Sequence, residues 1–479
     1  MRPHDKEMTV ARDLTPATAA SVAGTAPPRR GLALTLLSAA AFLAALDLFI
    51  VNVAFHDIEQ SFPDSSLDDL SWVLNAYTII YAALLVPLGR WADQRSRKFG
   101  FIVGLAIFTL ASAACAVAPS LGFLIAARVV QAVGAAALTP TSLGLIVQIF
   151  DGEDRAKAVR IWAAAGGIAA AAGPVVGGFL VASSWRWVFL INIPVGAIVL
   201  VLAVLAIPDG KDPNDARTPH PVGAVWLTIA IGALAYALVR GNTWGWTSIT
   251  TITVFAVAAA GAALTAQHIT RSTRPLFEPG MLAVPSFRWN TLAVIGFGSA
   301  FAGALLTGVL WAQTVWDYTP IQTGLAVAPG PLMVPLFAGI ASRLATRIPA
   351  AVTVIVGCLA FALGCVLLIV SLSVDGAYAA ELLPGLAIIG AGTGLALPEL
   401  LAGATADLPP ERSTTGSAIV NTARQIGAVI GVSLVIAALT GLETTSDPTI
   451  NFRHAWWTCV VAAGVGAITA AFGMPRRRR

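Results

Sequence analysis

Apolar runs of about 17 to 25 residues, the length an α-helix needs to cross a bilayer, recur along nearly all of this 479-residue chain between short polar interruptions. Bounded by charge, proline or glycine, they number about fourteen, at 31-54, 70-92, 99-118, 121-148, 157-182, 186-207, 222-240, 250-268, 286-313, 322-345, 350-372, 379-403, 413-440 and 454-473. Only 11% of the residues are charged, against roughly 25% in a soluble domain. That shortfall excludes an ordinary cytosolic enzyme. The expected fold is all-α and integral to the membrane.

The placement of the positive charges orients the spans. Arg90, Arg95, Arg97 and Lys98, then Arg155, Lys157 and Arg160, Lys211 and Arg217, Arg271, Arg274 and Arg288, Arg343 and Arg347, Arg412, and Arg476 to Arg479 all fall on one side. The opposite loops hold only Arg186, Arg240 and Arg453. The positive-inside rule then predicts both termini in the cytoplasm. A net charge of +4 distributed this way reflects topology and gives no reason to expect nucleic acid. Residues 1-30 are polar and lack an apolar core beside a small-residue cleavage site, so they read as a disordered cytoplasmic tail and not a signal peptide. Residues 474-479 are a short basic tail.

Cys115, Cys358, Cys365 and Cys459 lie in or beside apolar runs, without metal-ligand spacing, and read as small hydrophobes. The five histidines, His4, His56, His220, His268 and His454, are scattered and form no catalytic or metal cluster. No cofactor is expected. Trp185 with Trp187, Trp244 with Trp246, and Trp456 with Trp457 fall near outer span ends, as interfacial anchors do.

The loop after span 2 reads GRWADQRSRK from Gly89, and the loop after span 10 reads GIASRLATRI from Gly339. Both start with glycine at the inner end of the second helix of their half and continue with basic residues. This position suggests two related six-helix halves, 31-207 and 286-473, with a helix pair at 222-268 inserted between them. Repeat-built transporters bind substrate near the midplane, between halves that rock around it.

Several motifs, taken in order, carry a family resemblance. LDLFIVNVAF (Leu46 to Phe55) holds Asp47 and Asn52; Gly89, Ala92, Asp93, Arg97 and Lys98 follow in the loop after span 2; Arg128, Gln131 and Gly134 lie in span 4; and GGIAAAAGPVVGG (Gly166 to Gly178) lies in span 5. WRWVFLINIPVG (Trp185 to Gly196), YTPIQTGLAVAPG (Tyr318 to Gly330) and GSAIVNTARQIGAVIG (Gly416 to Gly431) complete the set. Together they resemble the major facilitator superfamily, and within it the fourteen-helix drug:proton antiporters of the EmrB/QacA type, over about residues 31 to 440. Phe49 stands where that branch has Thr, His56 where it has Pro, and Gln94 and Ser96 depart from the usual loop. The resemblance implies a major facilitator fold and efflux of small amphipathic or cationic molecules, with protons as the second partner. A monomer in the cytoplasmic membrane is expected, and no enzymatic activity.

An arginine or carboxylate inside hydrocarbon must be paired, solvated or, for the acid, protonated. Asp47 and Glu399 are the acids well inside predicted spans, and Arg128 is the natural partner of Asp47. Asp47 is expected to take up and release the coupling proton in competition with substrate, with Arg128 tuning its affinity. Asn52, Gln131, Trp311 and Gln313 are expected to line the substrate pocket if span 9 faces it. Gly89, Asp93, Arg97 and Lys98 are expected to form a gating latch. Gly173, Pro174, Gly177 and Gly178 are expected to allow close helix approach and a kink. Glu399 receives no assigned role.

Overall fold

In the computed structural model, which describes residues 30–208, 220–344, 347–440 and 448–473, the chain is a bundle of helices. Fourteen segments are long and apolar enough to cross a membrane when one bent helix is counted as a single span. The first six are Arg30–Val53, Leu67–Arg95, Arg97–Ala116, Leu121–Ile149, Gly152–Val181 and Trp187–Ala206. Spans 7 and 8 are Pro221–Trp244 and Ile249–Arg271. Spans 9 to 14 are Pro285–Thr314, Pro320–Leu344, Ala350–Ser371, Tyr378–Thr405, Pro410–Thr440 and Pro448–Gly473. An even count puts both described ends on one face, called here the tail side; the opposite face is the far side. The basic tails, with Lys211 and Arg217, lie outside the described residues.

Local chemistry sets the starts. Ser66 and Asp69 form a capping box at span 2, with Asp69 N donating to Ser66 Oγ and Ser66 N donating to Asp69 Oδ2, both at 3.2 Å. Thr319 and Gln322 form the same device at span 10, and Ser120 caps span 4. Each box supplies acceptors for backbone N–H groups that a helix start leaves without partners. Spans 5 and 14 begin earlier than hydropathy indicates, at Gly152 and Pro448, because the helices run on past the apolar stretch into polar sequence.

The packing of spans 1–6 recurs in spans 9–14. Spans 1 and 5, 2 and 4, 3 and 4, and 3 and 6 pack together in the first set; spans 9 and 13, 10 and 12, 11 and 12, and 11 and 14 do so in the second. One contact is reproduced atom for atom. A Cβ on Gly134 would lie 2.7 Å from Gly104 O and 2.5 Å from Phe108 N; one on Gly392 would lie 2.5 Å from Gly357 O and 2.5 Å from Phe361 N. Only a residue without a side chain permits helix backbones to meet there.

The two sets touch along two seams, span 5 against span 10 and span 2 against span 13. Span 7 packs on both members of the second seam, and span 8 packs on span 7. At the far side the Arg240 guanidinium of span 7 binds the Asp69 carboxylate and lies 3.9 Å from that of Asp68. Two residues later, Asn242 Nδ2 donates to Ala437 O of span 13 at 2.5 Å and to Thr440 Oγ1 at 3.3 Å.

Candidate functional site

Four spans of the first set converge on a buried polar knot. Asp47, Arg128, Gln131 and Ser112 are 0% exposed and Asn192 is 1% exposed. Arg128 Nη1 donates to Asp47 Oδ2 at 2.5 Å and to Gln131 Oε1 at 2.7 Å, and its Nε donates to Val73 O at 3.2 Å. The other carboxylate oxygen of Asp47 accepts from Gln131 Nε2 at 2.8 Å and from Asn192 Nδ2 at 3.1 Å. Ser112 Oγ in turn accepts from both amides, at 2.8 and 3.3 Å. The Arg128 guanidinium lies over the Tyr77 ring, 4.0 Å from its centroid, a contact that strengthens when water is excluded. Every oxygen of the carboxylate has a donor, so the ion pair meets the requirement for charges in hydrocarbon.

Arg128 also belongs to the wall of a central cavity built by spans 1, 2, 4, 9, 12 and 13. Asp47 lies behind that wall. Phe49 and Phe301 meet across it edge to face, with centroids 6.1 Å apart. Asn52, Thr78, Arg424 and Gln425 are the other polar lining residues, and no carboxylate is among them. A second chamber lies toward the tail side, with Gly89, Arg90, Arg97, Trp162 and Asn421 in its wall. There the two sets are tied by Arg90 Nη2 donating to Thr415 Oγ1 at 3.3 Å.

On the far side the two sets are in direct contact. A Cβ on Gly178 would run into Pro320 O, and one on Gly324 into Pro174 O, so the backbones of spans 5 and 10 touch. Gln313 Nε2 donates to Val53 O at 2.9 Å, and Asn75 Nδ2 to Ser433 Oγ at 3.3 Å, each across the two sets.

The residues singled out from sequence land in different places. Asp47 and Arg128 meet as a pair, and Asn52 lines the cavity. Gln131 belongs to the knot and not to the lining. Span 9 faces the cavity, through Phe297, Gly298, Phe301, Ala302 and Leu305, a stripe of helical period. Trp311 is corrected: at about 100° per residue it lies about 110° from the middle of that stripe, and it packs edge to face on Phe452 inside the second set. Gln313 is corrected likewise, to the far-side bridge. Gly89 would place a Cβ 3.0 Å from Pro140 of span 4, and Arg97 Nη1 donates to Gly144 O at 3.3 Å. Lys98 starts span 3 beside it. The side chain of Asp93 lies outside the described residues.

Gly173 and Gly177 seat on span 1: a Cβ at the first would lie 2.7 Å from Phe49 Cβ, and one at the second 3.0 Å from Ile50 Cγ1. Span 5 bends by 45° between Ala170 and Ala172, where the ring of Pro174 meets the carbonyl four residues earlier. Glu399 is half-buried on span 12 and outside the cavity lining. Of the tryptophan pairs, Trp187, Trp246 and Trp457 are exposed, but Trp185 and Trp456 are buried; Trp185 Nε1 donates to Ser61 Oγ at 2.9 Å. These two are packing residues and not interfacial anchors.

Sequence reasoning misses Asn192, Ser112 and Tyr77. Asn192 and Ser112 are polar residues in the middle of apolar runs, which is the one signal that could have found them.

The sequence matches the profile of the Major Facilitator Superfamily over residues 37–432. It is 34% identical over 410 residues to "Multidrug resistance protein Stp" of Mycobacterium tuberculosis, covering 85% of this chain and 75% of that one. It is 31% identical over 420 residues to "Methylenomycin A resistance protein" of Streptomyces coelicolor, covering 87% and 86%. In fold it is similar to a bacterial homologue of the human lysosomal transporter Spinster, solved inward-facing and unoccupied, with a TM-score of 0.65 at 18% identity over 94% of this chain and 97% of that one.

Proposed function

The chain belongs to the major facilitator superfamily, and on that premise we propose that it is a proton-coupled antiporter exporting small amphipathic compounds across the cytoplasmic membrane by alternating access. The observation that carries this reading is the position of Arg128, which is bonded to the buried Asp47 on one side and belongs to the wall of the central cavity on the other. A proton on Asp47 loosens the pair and changes the cavity wall, so the two events are linked through one side chain. The names of the resistance proteins it resembles support drug or antibiotic efflux.

In this reading spans 1–6 and 9–14 are two halves that rock around the cavity, and the tail side, with its basic loops, faces the cytoplasm. The glycine and proline face of span 5 is the sliding contact of the far-side gate. Gly89, Asp93, Arg97 and Lys98 form the latch of the cytoplasmic gate. Asn52 contacts substrate, while Gln131 holds Asp47. The ion pair and cavity are complete within one chain, which supports action as a monomer.

One proton entering supplies about 2.3 kcal/mol per 100 mV and about 1.4 kcal/mol per pH unit. The sum of about 3.7 kcal/mol sustains a gradient on the order of 500-fold for a neutral substrate.

The test is purified protein in proteoliposomes under an imposed pH gradient, with a panel of toxic compounds. Substrate-stimulated proton movement is expected, and Asp47→Asn is expected to abolish gradient-driven accumulation while substrate still binds. Undiminished driven transport by Asp47→Asn would overturn the role of Asp47. A response to one compound alone would instead indicate a dedicated exporter of a single metabolite.

A further inference from the structure

The geometry points to an oxygen anion, carried on an apolar body, as the polar group the central cavity receives, with Arg424 as the residue that selects it. This rests on the efflux reading above for its biological meaning but not for its chemistry.

The charges of the cavity do not balance. Arg128 is neutralised by Asp47. Arg424, from the middle of span 13, also belongs to the wall, and among the described residues it makes no ion pair; its one side-chain bond is from Nη2 to Asn421 Oδ1 at 3.4 Å. No lining residue is an acid. A guanidinium removed from bulk water without a counter-ion is unfavourable unless something supplies the missing charge.

Gln425, next to Arg424 and 1% exposed, has its Nε2 buried without a partner among the described residues, and so has Arg128 at Nη2. Both of those nitrogens are enclosed, whereas Arg424 is only partly buried, so its N–H groups are the ones a ligand in the cavity meets, and the ligand that satisfies them brings acceptors. A carboxylate, phenolate or sulfonate does so and neutralises Arg424 at the same time, in the bidentate geometry for which guanidinium is suited. The remaining wall, including Phe49, Phe297, Phe301 and Leu305, is apolar and suits the hydrophobic part of an amphipathic molecule. A cationic head would meet Arg424 with no acid in the wall to offset it. The sign of charge is thus opposite to that implied by resemblance to drug antiporters.

Three probes with one apolar body separate these alternatives: 1-naphthylacetate, 1-naphthylacetamide and (1-naphthylmethyl)trimethylammonium. Equilibrium binding to the detergent-solubilised full chain is measured with radiolabelled naphthylacetate and by competition with the other two. The anion is expected to bind at least about tenfold more tightly than the cation, since hydrogen bonds to a charged group are the strong ones. Arg424→Gln is expected to lower anion affinity about tenfold or more while leaving the amide within about twofold; Arg424→Lys is expected to retain most of the preference. Ala428→Glu, one helical turn along the same wall, places an acid near Arg424 and is expected to reverse the preference even if Arg424→Gln does not fold. Tighter binding of the cation, absence of anion binding, or an anion-to-amide ratio unchanged in Arg424→Gln would overturn the inference. Proteoliposome export of the same probes keeps the two readings apart. Arg424-dependent anion binding without any export leaves this inference standing and removes the efflux reading; proton-driven export of the cation with no anion binding does the reverse.

Discussion

Replacing Asp47 by Asn changes one atom and leaves a guanidinium in the core without its counter-ion. Breaking a buried ion pair from one side typically destabilises by about 3–5 kcal/mol. Here part of that is offset, because Arg128 keeps its bonds to Gln131 Oε1 and Val73 O and its place over the Tyr77 ring. The new amide can itself still accept from Gln131 or Asn192. A loss of about 2–3 kcal/mol is therefore expected for Asp47→Asn. Arg128→Gln should lose a similar amount by stranding the carboxylate. The double variant carries no charge and keeps hydrogen-bonding groups at both places, so its stability is expected within about 1 kcal/mol of the wild type. The coupling between the two sites should then be at least about 2 kcal/mol. Reversible unfolding in mixed micelles with increasing SDS measures all four proteins. Additive losses, within about 0.5 kcal/mol, would show that the pair contributes nothing as a pair and would refute the reasoning. The double variant should also bind substrate yet fail to couple it to protons, which separates folding from function.

Two further substitutions probe backbone contacts. Gly134→Ala and Gly392→Ala each drive a methyl group into backbone of the neighbouring span, which cannot give way as a side-chain tip can; a loss of about 1–3 kcal/mol is expected for each, again read from SDS unfolding, and a neutral result at either would contradict the observed helix approach. Gly178→Ala pushes span 5 from Pro320 of span 10 and is expected to shift the population toward a far-side-open form, measured as longer spin-label distances across that seam; unchanged distances with unchanged stability would show that the seam is not the closed gate.

The spans were legible because hydrocarbon thickness imposes a length and a composition that few other structures share, and their order followed from the same rule. The Asp47–Arg128 pair was legible for a related reason: a charge inside a membrane has few places to be satisfied. The position of Trp311 was not, because an aromatic in an apolar helix is equally at home on any face, and only packing of the neighbouring helices fixes which residues of span 9 meet the cavity. Asn192 and Ser112 escaped notice because an amide or hydroxyl in an apolar run is common and inexpensive once bonded to a neighbour. Arg424 lies within the GSAIVNTARQIGAVIG segment, but that no acid among the described residues pairs with it is a fact about surrounding helices that no local sequence contains.

The end of span 7 holds span 2 through Arg240 and span 13 through Asn242, at positions only two residues apart. Any motion that parts those two spans on the far side must strain at least one of these grips. The end of span 7 therefore acts as a clamp with two adjacent grips across the joint, not as a passive spacer. Its two fastenings differ in kind: the grip on Asp68 and Asp69 is ionic and weakens with salt, whereas the grip on Ala437 O is a neutral backbone bond that salt leaves largely alone. Of the two, the ionic grip is the one that salt on the far side is expected to loosen, making that seam easier to part.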